Sequence, residues 1–307
     1  MLPVSGLAYG QEEGTDAQNT DGVVSSDVTD TPELIAPEPV KPAIDYTAYD
    51  ELMGRYAAPQ RGRTKISFQL IREHAPYDLM KYIEYLVAQD ISELEGDDLL
   101  AYMLNLQNAV AVQTLVEQKK LKKDLSKLRG TYETPGALWT EPRVMFVDTS
   151  YSLMDIEAAI LEQFPEPDVI YGFYYGIQGA PSLYGKAYTG ETVREALAEN
   201  ARRYVNSKGT VNVDNDVVEL TPVFMWYKED RFGADDQALI DHLQVHADPN
   251  LKSALYRGAK FETVKMNYQP DIFVLPEDNA RSRGRKRKKS KPNYGRNAQI
   301  PRGGYGS

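Results

Sequence analysis

The chain has 307 residues, 42% of them apolar and 26% charged, enough to bury a real core in one sizeable domain or two small ones. Cysteine is absent, which excludes thiol catalysis, Cys-ligated zinc and disulfides. The net charge of −10 conceals two opposed regions: residues 281–307 hold ten Lys or Arg and no acid, so the remainder carries 25 basic and 45 acidic residues.

No uninterrupted apolar stretch approaches the roughly 20 residues that a bilayer-spanning helix needs, so no transmembrane segment is expected. Residues 2–10, Leu-Pro-Val-Ser-Gly-Leu-Ala-Tyr-Gly, read as the remnant of a secretory signal, with Ala8 and Gly10 as the small residues before Gln11, the alternative being an ordinary apolar N-terminus. That reading predicts a periplasmic or secreted protein. Residues 11–44 follow as an acidic, Thr/Ser/Pro-rich linker whose low hydrophobicity cannot offset chain entropy, so disorder is expected there. Residues 45–275 are expected to form a single folded domain, and 276–307 a disordered basic tail.

Within the folded part, Tyr46, Tyr49, Leu52, Met53 and Tyr56 recur at helical spacing. Tyr77 to Val87 repeats the pattern after Pro76, read as a first-turn proline. Asp97 or Asp98 is expected to cap a long helix running towards Gln118 or beyond. Its first half, from Leu99 to Val110, is apolar nearly all round, as for a helix at the centre of a core. The basic run Lys119 to Lys127 suits an emerging C-terminus.

Arg143 to Val147 is a short strand candidate. Ser152 to Phe164 reads as a helix capped by Ser152 with Asp155 three residues on. Val169 to Tyr175, apolar and aromatic, reads as a strand running into a Gly/Pro loop from Gly176 to Gly185. A helix capped by Thr189 is expected to Tyr204, then a hairpin from Thr210 to Leu220 turning around Asp214 and Asn215. Short helices fit 222–228, 235–246 and 250–256, and a last strand fits 260–264. Helices first and strands later predict an α+β class: a helical N-terminal half packed on a small mixed or antiparallel sheet.

Four segments in order carry a family resemblance. Ala101-Tyr-Met-Leu-Asn105-Leu-Gln-Asn108-Ala-Val110 is similar to a pattern A-F-W-I-N-x-Y-N-A-L. Ser152-Leu-Met-Asp155-Ile-Glu157-Ala158-Ala-Ile-Leu161 is similar to S-L-x-D-I-E-H-x-I-L. Tyr171-Gly-Phe-Tyr174-Tyr175-Gly-Ile-Gln-Gly179-Ala180-Pro181-Ser182-Leu183, followed by Ala187-Tyr-Thr-Gly-Glu191, is similar to F-A-L-N-C-x-S-x-G-C-P-x-L and A-Y-T-G-E. Phe224-Met-Trp226-Tyr227-Lys-Glu-Asp230-Arg-Phe232 is similar to F-x-W-Y-x-x-D-F. Together, over roughly 46–275, they resemble the domain of unknown function 547 family. The family's histidine and two cysteines imply a thiol site and, by analogy, a thiol-hydrolase-like core, because a thiolate needs a base or cation beside it. In this chain the corresponding positions are Ala158, Tyr175 and Ala180. Alanine moves no proton, and a phenol of pKa about 10 is a poor nucleophile. The copy therefore reads as a pseudoenzyme with no catalytic residues.

The candidate cleft comprises Asn105, Asn108, Glu157, Ala158, Tyr174, Tyr175, Ala180, Ser182, Trp226 and Asp230. Asn105 and Asn108 are buried amides that need partners and are expected to tie the long helix to the 171–181 backbone. Glu157 and Asp155, two apart on a helix, diverge and make no carboxylate pair. Tyr171, Phe173, Tyr174 and Tyr175 are either core packing or a stacking platform for a sugar or peptide. Ser182 sits outside any G-x-S-x-G elbow, so turn chemistry is its default. His242 and His246 have H-x-x-x-H spacing that could clamp zinc, without a third ligand in sequence, and a solvated or half-buried pair is the alternative; no metal or cofactor is assigned.

The tail cations Arg281, Arg283, Arg285, Lys286, Arg287, Lys288, Lys289 and Lys291 suit any polyanion. For an exported chain, the expected partner is an unknown protein or a cell-envelope polyanion, with nucleic acid the choice for a cytosolic one. The functional expectation is a non-catalytic exported binding or scaffold protein; the alternative is a hydrolase with a rebuilt non-thiol site.

Overall fold

The computed structural model describes residues 44–60, 62–118, 135–233, 236–258 and 260–263. The signal-like 1–10, the acidic linker up to residue 43, the basic run 119–127 and the tail lie outside the described residues.

Helix α1 (Thr47–Tyr56) leads directly into a ribbon of β1 (Ala57–Gln60) and β2 (Arg63–Ile66), paired antiparallel with Ala57 opposite Ile66. Ser67 caps α2 (Phe68–His74) by accepting from the Leu70 amide. α3 (Asp78–Val87) and α4 (Gly96–Val116) follow. After α5 (Ala137–Thr140) comes a second antiparallel ribbon, β3 (Pro142–Phe146) with β4 (Thr149–Ser152), and then α6 (Leu153–Gln163). A 3₁₀ turn (Pro167–Gly172) precedes the long loop into α7 (Val193–Val205). The last sheet has β5 (Val211–Asp214) antiparallel to β6 (Val217–Leu220), and β7 (Lys260–Thr263) parallel to β6. Between β6 and β7 lie α8 (Pro222–Trp226), a π-helical turn (Lys228–Phe232), α9 (Asp236–His246) and α10 (Pro249–Leu255). The fold is α+β, with its strands in three small separate sheets.

α4 is the axis. Every residue from Leu100 to Val112 is buried, and α2, α3, α6, α7 and β3 all pack on it. Its 21 residues meet the length and hydropathy of a membrane span, a match that the apolar-stretch rule did not anticipate. Yet 89% of its most apolar window is buried inside the fold, which makes it a core helix. Each fully buried Leu there contributes about 1.5–3 kcal/mol.

Several expectations are corrected. Val169 to Tyr175 is not a strand. Pro167 starts a 3₁₀ turn that ends at Gly172, and Phe173 after it is extended. A run buried on every side has no alternation to distinguish the two forms. Asp97 and Asp98 lie in the first turn of α4, where their charge suits the helix dipole, while Glu95 occupies the cap position without a side-chain bond. α7 begins at Val193, after a turn closed by the Thr189 carbonyl, so Thr189 is not its cap. Pro76 precedes the cap Tyr77 and is outside α3.

Candidate functional site

The two amides of α4 each pair with the backbone of the loop that follows the 3₁₀ turn. Asn108 donates to the Gly172 carbonyl (3.1 Å) and accepts from the Tyr174 amide (3.1 Å). Asn105 donates to the Tyr188 carbonyl and accepts from the Tyr188 amide, both at 2.8 Å. Asn105 therefore holds the segment Ala187–Glu191 rather than 171–181. One turn apart on a helix, the two side chains fasten both ends of the loop to the core.

The loop between them is held at several further points. The Gly179 carbonyl accepts from Tyr204 Oη (2.8 Å), and the Ala180 carbonyl accepts from the Arg63 guanidinium (2.8 Å). Gly176 has φ +68, and a Cβ there would stand 2.2 Å from Leu115 Cδ1, so the backbone lies directly against α4. Ile177, Ala180 and Leu183 are buried.

Helix α6 supplies the carboxylate. Ser152 Oγ accepts from the Asp155 amide (3.2 Å) while Asp155 Oδ2 accepts from the Ser152 amide (2.8 Å), a reciprocal capping box that fixes the helix start. From that start the helical period turns Leu153, Ile156, Glu157, Ile160 and Leu161 inward. Ala158, a further 100° round, is exposed.

Glu157 is 1% exposed. Its Oε1 accepts from the Trp139 indole N–H (2.9 Å) and from Gln107 (3.4 Å); its Oε2 accepts from Tyr175 Oη (3.3 Å) and Tyr227 Oη (3.4 Å). The two phenols also bond each other. Polar groups from four segments converge on one carboxyl, with the two phenol protons shared between Glu157 and the bond that joins the phenols, and burial of such a group demands satisfaction of this kind. Around the Tyr175 ring lie Trp226, edge-on at 5.9 Å, Trp139 at 6.1 Å and Phe173 at 6.5 Å. Tyr175, Phe173, Tyr174 and Tyr227 are all at most 1% exposed.

The ten cleft candidates thus do not share one space. Glu157, Tyr175 and Trp226 meet, and Tyr174 is tied to Asn108. Ala158 and Asp230 are on the surface, Ala180 is buried under Arg63, and Ser182 is 8% exposed within the held loop. A shallow groove of about 370 Å³ is formed by other elements, α1 and α3, with Asp45, Glu51, Arg55, Lys81, Tyr82 and Tyr85 in its wall. It shares no lining residue with the Glu157 cluster.

Of the two readings, the helix histidines are the half-buried pair: His242 is partly buried and His246 buried. The i,i+4 spacing on α9 turns both towards the 3₁₀ turn, where His246 Nε2 is 2.8 Å and His242 Nε2 is 3.8 Å from Asp168 Oδ1. Tyr171 Oη bonds His242 Nε2 at 2.9 Å. Burial lowers His242 to about 4, against the opposing pull of Asp168. Burial also pushes Asp168 upward, but the hydrogen bond from His246 and the positive potential of His246, His242 and Arg194 outweigh it and hold the carboxyl below its usual value. Burial raises the Tyr171 phenol well above its ordinary range. Asp168 is the functional candidate that the sequence did not reveal. It stands over 70 residues from either histidine, and only the fold joins them.

These features define an α+β protein in which a buried helix pins an aromatic loop through two amides. Residues 91–205 match the model of the family described as Protein of unknown function, DUF547. The matched region takes in the segments at 101–110, 152–161 and 171–191, whereas 224–232 lies beyond it. No curated protein and no solved structure matches the chain.

Proposed function

We propose that this chain is a non-catalytic binding or scaffold protein, exported, with a rigid family core and a basic tail that holds a polyanion. The carrying observation is the packing at Tyr175. Where the family resemblance implies a reactive cysteine, a fully buried phenol sits inside a shell of aromatic rings with its hydroxyl on Glu157. The position corresponding to the histidine, Ala158, is exposed on the outer face of α6. A cleft needs an opening and convergent polar groups; here the polar groups converge on one another.

The run of cations from Arg281 to Lys291 supplies the electrostatic anchor, and an exported chain would meet acidic polysaccharide or anionic headgroups before nucleic acid. The test has two arms. The full-length chain is screened against peptide, amide and ester substrates, then titrated with dextran sulfate at rising salt. The reading predicts no turnover, and salt-sensitive binding that is lost when the eight cations from Arg281 to Lys291 are replaced by Gln. Turnover abolished by Ser182→Ala or Glu157→Gln would instead establish a hydrolase with a rebuilt site, and binding indifferent to the Gln replacements would remove the tail's role.

A further inference from the structure

We propose that Asp168, His242 and His246 form a binding site for a single divalent transition-metal ion such as zinc, clamping α9 to the 3₁₀ turn. The ligating atoms, one from each residue, all lie within 4.8 Å of one another. Two donors about 2.1 Å from a tetrahedral ion are about 3.4 Å apart. The observed separations from Asp168 Oδ1, 2.8 Å to His246 and 3.8 Å to His242, straddle that value. The remaining pair lies within 4.8 Å, so binding draws the donors together by up to about 1.4 Å.

Two imidazole nitrogens and one carboxylate oxygen suit zinc and its first-row neighbours better than calcium or magnesium, which prefer all-oxygen shells. The surroundings hold the donors in place. Phe232 packs 4.8 Å from the His242 ring, and the Tyr171 ring lies parallel to it at 5.8 Å. His246 is buried, whereas the Asp168 side chain is 33% exposed, so an ion enters from the carboxylate side. Tyr171 Oη, 2.9 Å from His242 Nε2, stands where a fourth oxygen donor or the partner of a bound water belongs. Arg194 also acts on Asp168, and its charge is shared by Asp97 (2.6 Å) and Glu166 (3.1 Å). Without an ion, the same groups form a hydrogen-bonded network that ties α9 to the turn; the ion replaces that network with stronger bonds.

The background for a test is low. The chain has three histidines and no cysteine, and the third histidine, His74, is exposed at the end of α2. Untagged full-length protein is titrated with zinc by calorimetry and with cobalt(II) by visible absorption, which reads coordination geometry independently of stability. The expected result is one ion per chain, a thermal midpoint raised by excess zinc, and tetrahedral cobalt bands. His74→Gln leaves all three unchanged. His242→Gln and Asp168→Asn, both volume-conserving, weaken binding at least tenfold and remove the bands. Absence of a bound ion at zinc concentrations well above the protein's, or binding that survives both substitutions, overturns the site.

Discussion

Asn105 bonds both backbone groups of one buried residue, Tyr188, and replacing it tests whether α4 holds the loop. Asn105→Ala strands the Tyr188 amide and carbonyl at a site where both residues are 1% exposed. Each unsatisfied group costs about 1–3 kcal/mol, so the expected loss for the two is about 2–6 kcal/mol. Against the roughly 5–15 kcal/mol of an ordinary domain that is a large fraction. Asn105→Asp keeps the acceptor for the Tyr188 amide but sets a carboxylate against the Tyr188 carbonyl, so it should lose at least as much. Urea unfolding followed by the fluorescence of Trp139 and Trp226, both buried, reads the change as a shifted midpoint at constant slope. Asn212→Ala, at an exposed side chain that reaches Glu219, is the surface control and should stay within about 0.5 kcal/mol. An Asn105→Ala midpoint equal to that control would refute the pinning argument.

Gly176→Ala drives a methyl into Leu115 and places a side chain at φ +68; overpacking and left-handed backbone together cost about 2–4 kcal/mol, seen as a lower urea midpoint. Tyr175→Phe keeps the ring but removes one donor from Glu157 and one partner from Tyr227, so stability should fall by about 1–3 kcal/mol; an unchanged midpoint would show that the phenol is not part of the cluster. Burial raises the Tyr46 phenol from 10.0 to about 12 and raises Tyr49, Tyr82, Tyr102, Tyr188 and Tyr204 further still. Their protons are held more tightly in the folded state, so this contribution is intact below pH 10 and is lost as pH rises through 12. Phenolate absorbance from this buried set should therefore appear only together with unfolding; its ionisation in the native state would contradict the reasoning.

What could be read from the sequence followed the strength of its local signals. The 3.6-residue spacing in 46–56 and 77–87, the all-round apolar surface of α4, the Ser152/Asp155 box and the Asn215 turn each fix an element by chemistry within a few residues. The β1/β2 ribbon escaped because Ala-Ala-Pro-Gln and Arg-Thr-Lys-Ile lack alternation, and α2 because seven residues hold barely two turns. At the site, the difference between Glu157 and Ala158 is one residue of helical phase, which a motif comparison cannot resolve and a capped helix settles. The partner of the two histidines is invisible in spacing, since Asp168 reaches them only through the packing of α9 beside the turn and α7.

The central claim, that a packed aromatic cluster fills the region around Tyr175, is tested most directly by single-cysteine accessibility, since the chain has no cysteine of its own. Ala158→Cys, Tyr175→Cys and Ala180→Cys are labelled under native conditions with a maleimide, with circular dichroism confirming the fold of each. The account predicts that Ala158→Cys reacts at the rate of a free thiol, whereas the other two react at least about a hundredfold more slowly, limited by opening of the core. Labelling of folded Tyr175→Cys and Ala180→Cys at the Ala158→Cys rate would mean an open cleft, and the non-catalytic reading would fall.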